Sequence, residues 1–191
     1  MDEPAVLTGE LEAPIEDVDE QLALAARSDP NAFGQLYRRH RLAVFRYLRA
    51  RTTTADAAEE LTAVTFERAL AAMPRYRASG GGVLAWLFRI ARNAAIDSGR
   101  RRSTTPVFED VEDRRATIAP ERVALENEER STLVAAIDRL TPMQREAIHL
   151  RYAARLTAGE IGAVIGKSDQ ATQKLLSRAL ATIRENYRVD D

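Results

Sequence analysis

The stretch Thr157-Ala158-Gly159-Glu160-Ile161-Gly162-Ala163-Val164-Ile165-Gly166-Lys167-Ser168-Asp169 carries the signals of a short helix, a turn and the start of a second helix. Thr157 followed three residues later by Glu160 is a capping-box pattern, in which each side chain satisfies a backbone N–H of the other residue. It predicts a helix over 157–165. Gly166-Lys167-Ser168 reads as a turn, and a long helix is expected from Asp169 to about Tyr187. That succession has the spacing of a helix-turn-helix. On the long helix, Thr172, Leu176, Ala179, Leu180, Ile183 and Tyr187 fall on one stripe, which should pack on the preceding helices. Gln170, Lys174, Ser177, Arg178 and Arg184 lie opposite. Such side chains can donate to phosphates and to purine edges in a major groove. They suit the solvated face of an ordinary amphipathic helix equally well, and the spacing alone leaves both readings open.

Toward the N-terminus the pattern stays helical. Alanine, leucine, arginine and glutamate dominate, and strand-like alternation is missing. Thr141-Pro142 opens a helix to about Ala154, and another is expected from near Glu121 to Leu140. Residues 103–119, with Pro106 inside and Pro120 just after, are polar and acidic without a clear period and read as a linker. Before them a fourth helix is expected over 83–102, behind a loop Ser79-Gly80-Gly81-Gly82. A third helix, 54–72, ends before Pro74. A second runs from Asn31 to Arg51, with Pro30 suited to its first turn. Asp19 is expected to cap a first short helix through Arg27. Residues 1–18, with Pro4, Gly9 and Pro14, read as an acidic flexible tail. The expected fold class is therefore all-α: two small helical domains, 19–102 and 121–191, joined by a flexible linker, 103–120.

Composition narrows the chemistry. The 191 residues contain no cysteine, which excludes disulfides, thiolate metal sites and a cysteine nucleophile. His40 and His149, the two histidines, are far apart in sequence and do not suggest a metal cage. No apolar run approaches the ~20 residues that span a bilayer. The acidic N-terminus has no basic n-region and no h-region, so no secretion signal is visible. A cytoplasmic protein without membrane insertion is expected. The net charge of −1 conceals an uneven distribution. Residues 1–20 carry −8, 27–51 carry +6, 52–72 carry −3, 75–102 carry +6 and 103–130 carry −4. Separate nucleic-acid and protein-binding faces produce such blocks.

The fourth helix has an unusual face. Leu84, Leu87, Phe88, Ala91 and Ala95 form its apolar stripe, and at 100° per residue Trp86, Arg89, Asn93 and Arg100 project opposite. A lone tryptophan is more often core than platform, but this one is out of phase with the core stripe. An indole beside guanidinium groups suits stacking on unpaired bases, worth ~1–3 kcal/mol per base. Arg100-Arg101-Arg102 could hold a phosphate backbone, or simply favour a helix C-terminus. The third helix carries Asp56, Glu59, Glu60 and Glu67 with Leu61, Val64 and Phe66. Its acidity points to a protein partner or to a solvated helix start.

Trp86-Leu87-Phe88-Arg89-Ile90-Ala91-Arg92-Asn93-Ala94-Ala95-Ile96-Asp97, closing on Arg100-Arg101-Arg102, resembles regions 2.3–2.4 of bacterial sigma factors. The similarity is to the small extracytoplasmic-function class of the sigma-70 family. Leu140-Thr141-Pro142-Met143-Gln144-Arg145-Glu146 with Leu150-Arg151-Tyr152 resembles region 4.1, and Leu156 to Gly166 the first part of region 4.2. Ala32-Phe33 with Leu36-Tyr37 is similar to region 2.1. Each motif is short, but together they cover about 20–190 in the family's order.

The resemblance implies a sigma factor: a protein that binds core RNA polymerase, recognises minus-10 and minus-35 promoter elements and supports melting of the duplex. Carried over, it assigns core-polymerase binding to Asp56, Glu59, Glu60, Leu61 and Phe66. It assigns the minus-10 strand to Arg75, Arg77, Trp86, Arg89, Asn93, Arg100 and Arg101, and the minus-35 duplex to Gln170, Gln173, Lys174, Ser177 and Arg178. Glu109, Asp110, Glu112 and Asp113 of the linker would mimic nucleic acid near the RNA exit path. The implied partners are core polymerase and promoter DNA, with an anti-sigma factor as a further one; no cofactor is implied. Three features depart from the family's pattern. Ala63 and Val64 stand where Gln and Glu are common, Leu175 stands where an arginine is frequent, and the loop 80–82 is three glycines. The alternative class is a polymerase-independent helix-turn-helix regulator, which would leave the Trp86 helix without a clear role. A helical enzyme would have to use His40, His149 and nearby carboxylates, and no nucleophile–base constellation supports it.

Overall fold

The computed structural model describes residues 15–104 and 132–188, with side chains described over 18–100 and 132–187. Every regular element among them is helical. α1 spans Ile15–Ala25, α2 Pro30–Arg49, α3 Ala55–Ala72 and α4 Gly82–Thr104. α5 covers 132–138, followed by α6 Pro142–Tyr152, α7 Ala158–Ile165 and α8 Asp169–Arg188. The tail 1–14, most of the expected linker with Glu109, Asp110, Glu112 and Asp113, and the expected helix over 121–131 lie outside the described residues.

Local chemistry sets most boundaries. Asp29 caps α2 by accepting from the Asn31 N–H at 2.8 Å, with Pro30 in the first turn. Thr54 caps α3 through the Ala57 N–H at 3.2 Å. α3 ends in a 3₁₀ turn, Met73–Arg75, that accommodates Pro74. Both α6 and α7 begin with complete capping boxes, Thr141/Gln144 and Thr157/Glu160. α7 stops at Gly166, whose φ of 73° is cheap only for glycine.

One boundary differs from expectation for a tertiary reason. Asp19 does not cap α1; it lies inside the helix, 2% exposed, between the Arg39 guanidinium and the His40 imidazole of α2. Its Oδ1 accepts from Arg39 Nε at 2.7 Å, and His40 Nε2 is 3.0 Å from its Oδ2. His40, expected at the surface, is consequently only 12% exposed in its side chain. α4 also runs two residues into the expected linker, to Thr104. α2 and α6 end slightly early, at Arg49 and Tyr152.

α1–α4 enclose a core containing Val44, Tyr47, Leu48, Leu61, Phe66, Met73, Tyr76, Leu87 and Phe88. Its rings meet edge to face: Tyr47 on Phe88 at 5.5 Å and Phe33 on Phe66 at 6.5 Å. The same apolar cluster continues into the second half through Ala147, Leu150, Leu156, Ile161 and Val164. α7 packs on α4 as well as on α8, so the two halves touch. A smaller cluster, Leu140, Ile148 and Ala179 with Leu176, Leu180 and Ile183, holds α8 to α6.

Candidate nucleic-acid interface

On α8 the expected stripe is the packed one: Thr172 and Ala179 are fully buried, and Leu176, Leu180 and Ile183 are half-buried. Tyr187 at its end is 40% exposed. Gln170, Gln173, Lys174, Ser177 and Arg178 all face solvent. Gln173 donates to Asp169 Oδ2 at 3.1 Å, one turn back. The angle between α7 and α8 depends on Gly162, where a Cβ would lie 2.6 Å from the Lys167 carbonyl oxygen. Only a glycine allows the chain to turn that closely onto itself. α8 thus offers two amides, a hydroxyl and two cations on one open face, the donor set that reads purine edges and holds phosphates.

On α4, Arg89, Asn93 and Arg100 are exposed, as are Arg75 and Arg77 just before it. The side chain of Arg101 lies outside the described residues. The apolar side of α4 is broader than the expected stripe, because Val83, Ala85 and Ala94 are also buried while Leu84 and Ala95 are only partly so. Trp86 is half-buried rather than free of the core. Its indole meets the Tyr76 ring edge-on, with centroids 5.1 Å apart at 67°. Tyr76 comes from the loop, so a projection of α4 alone cannot show this contact. The indole thus packs on Tyr76 and the core while part of its surface stays exposed.

The loop that leads into α4 is held from outside. The Tyr76 hydroxyl donates to Glu20 of α1, 2.9 Å from Oε1 and 2.8 Å from Oε2. The Val83 N–H, in the first turn of α4, donates to the same Oε2 at 3.1 Å. Burial first, and the adjacent Glu20 carboxylate second, push the Tyr76 phenol well above the usual tyrosine range. Tyr76 therefore stays a donor at any physiological pH. Sequence reading missed both residues: Glu20 stood as one more acid in the first turn of the expected helix 19–27, and the signal for Tyr76 was an aromatic wedged between Arg75 and Arg77.

α3 presents Asp56, Glu59 and Glu60 to solvent, whereas Leu61 and Phe66 are 6% and 5% exposed and belong to the core. Those two shape the helix rather than offer it to a partner. Beside the carboxylates runs a groove lined by Tyr37, Arg41, Leu42, Phe45, Thr62 and Ala63. Leu42 is 51% exposed there. Ala63 leaves the groove more apolar than a glutamine would.

Between the halves, Glu146 of α6 is 6% exposed and accepts from Tyr47 at 2.6 Å and from Arg51. Arg92 Nε lies 3.7 Å from it. His149 faces the same cleft; burial, then the Arg51 charge, lower its pKa. Among the described residues no cluster of His, Asp and Glu could hold a metal ion, and no helix is long and apolar enough to cross a membrane.

Two families match the chain: Sigma-70 region 2 over residues 36–105 and Sigma-70, region 4 over residues 136–185. The chain is 34% identical to the ECF RNA polymerase sigma factor BldN of Streptomyces coelicolor over 162 residues, covering 83% of this chain and 61% of that protein. It is 30% identical to the ECF RNA polymerase sigma factor SigD of Mycobacterium tuberculosis over 181 residues, covering 89% of this chain and 84% of SigD. Among solved structures, CnrH in complex with the cytosolic domain of CnrY superposes with a TM-score of 0.68 at 26% identity, covering 92% of this chain and all of that one. The sigma factor RpoE of Bartonella quintana, in complex with the anti-sigma factor NepR, gives 0.61 at 25% identity over 83% of this chain and 98% of RpoE.

Proposed function

Because the chain belongs to the extracytoplasmic-function class of the sigma-70 family, we propose that it serves as a promoter-specificity subunit with three separate contact surfaces. Asp56, Glu59 and Glu60, with the groove at Tyr37, Leu42 and Ala63, dock on core RNA polymerase. The loop 76–82 and the face of α4 bearing Trp86, Arg89 and Asn93 hold the minus-10 element as a single strand, with Arg75, Arg77 and the arginines at 100 and 101 on its phosphates. Gln170, Gln173, Lys174, Ser177 and Arg178 meet the minus-35 element in the major groove. The linker, with its acidic run 109–113, passes along the path of the nascent RNA. The working compartment is that of the polymerase, the cytoplasm.

The energetics suit binding without a chemical step. Opening a duplex costs about 1.4 kcal/mol per base-pair step. The sequence has no phosphate-binding loop to couple ATP hydrolysis to it. Bases captured on an aromatic platform return ~1–3 kcal/mol each, and phosphate contacts add to that. Two weak DNA contacts joined in one chain reinforce each other through effective concentration. Solved relatives carry bound protein partners, one of them called an anti-sigma factor. A protein inhibitor of that kind is a further partner for this chain.

The observation that carries the reading is the pairing, on one chain, of an exposed Gln/Lys/Arg face on a helix-turn-helix with an exposed arginine–asparagine face around a half-open indole. In vitro transcription with core polymerase on a promoter library tests it. Transcripts that start only when the chain is added support it. Tight, specific duplex binding by the free chain, with no effect on core polymerase, replaces it with the polymerase-independent regulator.

A further inference from the structure

The α4 N-terminus has an unusual problem. Its first turn begins at Gly82, behind Gly80 and Gly81, and none of the three has a side chain to satisfy the helix's unpaired N–H groups. Gly81 and Gly82 take φ values of 91° and 63°, which other residues rarely adopt. A run of three glycines left alone samples many conformations. Yet the loop connects Tyr76, which supports the indole, to the helix that carries it.

The missing cap is supplied by another helix. Glu20 of α1 accepts from the Val83 N–H at the end of the loop and from the Tyr76 hydroxyl at its start. One carboxylate thus ties both ends of the loop, and its negative charge sits where the α4 dipole favours it. A Cβ on Gly82 would come within 3.4 Å of that carboxylate, so the backbone approaches it closely. Glu20 is not needed to attach α1. Asp19, through Arg39 and His40, and the buried Ala23 already do that.

The geometry points to Glu20 as a positioning residue for minus-10 recognition: it holds the loop 76–83 and the Tyr76–Trp86 pair in shape, so that a displaced strand meets a preformed surface. This deepens the reading that the loop and α4 take the minus-10 strand, and rests on it. A preformed surface binds more tightly because less freedom is lost on binding. It also discriminates better among bases, since a mobile loop adapts to the wrong ones.

The test uses holoenzyme assembled from core polymerase and the full chain, with a pool of short single-stranded DNA oligonucleotides randomised at their centre. Glu20→Ala and Tyr76→Phe should each lower affinity for the strands selected by the wild type by about tenfold, ~1.4 kcal/mol, and flatten the base preference. Core-polymerase binding and the thermal midpoint should stay near wild type. Glu20→Gln should recover most of the effect, since its amide oxygen still accepts from Val83 and its NH₂ can donate to the tyrosine oxygen. The inference is overturned if base preference survives both removals, or if core binding and stability fall in step with strand binding, which marks a general scaffold role. If the wild-type holoenzyme shows no preference and Trp86→Ala changes nothing, the minus-10 reading itself fails. Preference in the wild type that persists in Glu20→Ala removes the role of Glu20 alone.

Discussion

Asp19 and His40 show what a single buried carboxylate does to its surroundings. Sequence logic made Asp19 an N-cap, because aspartate before an apolar run commonly is one. It is instead buried against Arg39 and His40, which lie twenty and twenty-one positions further on. Capping is worth ~1 kcal/mol, whereas removing one partner from a buried ion pair costs ~3–5 kcal/mol. The tertiary arrangement therefore prevails, and no local pattern reveals it. Arg39 is 39% exposed, so solvent weakens its share. Asp19→Ala should cost roughly 2 kcal/mol, about 4–8 °C in thermal midpoint for a chain this size. The imidazole adds a pH dependence. Burial lowers the His40 pKa against the opposing pull of Asp19, and burial lowers that of His149 as well. Above the ordinary histidine value of ~6.5 both states are neutral. As pH falls through that value the unfolded chain takes up protons that the folded chain resists, so stability declines. Thermal melts between neutral and mildly acidic pH should show a midpoint falling with pH, and His40→Gln should flatten the slope.

Helices, by contrast, announced themselves where their information is local. The capping box at Thr157/Glu160, the proline-led starts of α2 and α6 and the turn at Gly166 all lie where sequence placed them, since each depends on neighbours within four residues. The polar face of α8 was equally legible, because a 3.6-residue period survives folding unchanged. α3 was legible as a helix but not as a surface. Its acidic residues are exposed while Leu61 and Phe66 are core, so two groups of residues once assigned to one partner separate by experiment. Glu60→Lys should weaken capture of core polymerase and leave the melting temperature almost unchanged. Phe66→Ala should do the reverse in its primary effect, costing ~3–5 kcal/mol by opening a cavity. Lysine 174 belongs to the same scale of argument. If Lys174 contacts a phosphate, Lys174→Ala should weaken binding to every minus-35 sequence alike and reduce the salt slope of log affinity by about 1. A change in sequence preference with an unaltered slope would instead make it a base reader.

At the scale of the whole molecule, the deciding contact joins residues almost a hundred positions apart. Glu146 receives Tyr47 across a separation of 99, and Arg51 across 95. The two matching regions, 36–105 and 136–185, are legible in sequence; that they close on one another is not, because complementarity between distant surfaces leaves no periodic trace. The closure has a consequence for access. Gly81, in the loop before α4, sits so close to α7 that a Cβ there would lie 2.7 Å from that of Ala163. A strand entering beside the loop therefore meets the helix-turn-helix half. The chemistry of the junction makes it separable. Burying a carboxylate and arginines loses hydration nearly equal to what their attraction returns, and opening restores that hydration to every member. Apolar side chains such as Leu156 and Ile161 supply the net adhesion. Glu146→Ala should leave Arg51 and Arg92 without their shared carboxylate inside the closed form and so shift the population toward separation. Fluorescent labels on exposed positions of α3 and α8 should then report a longer and broader distance distribution, while each half keeps its helical signal. Strand binding by the holoenzyme should be unaffected if docking on polymerase itself separates the halves. A distance distribution identical to that of the wild type would mean that the apolar contacts alone set the closure and that Glu146 merely completes it.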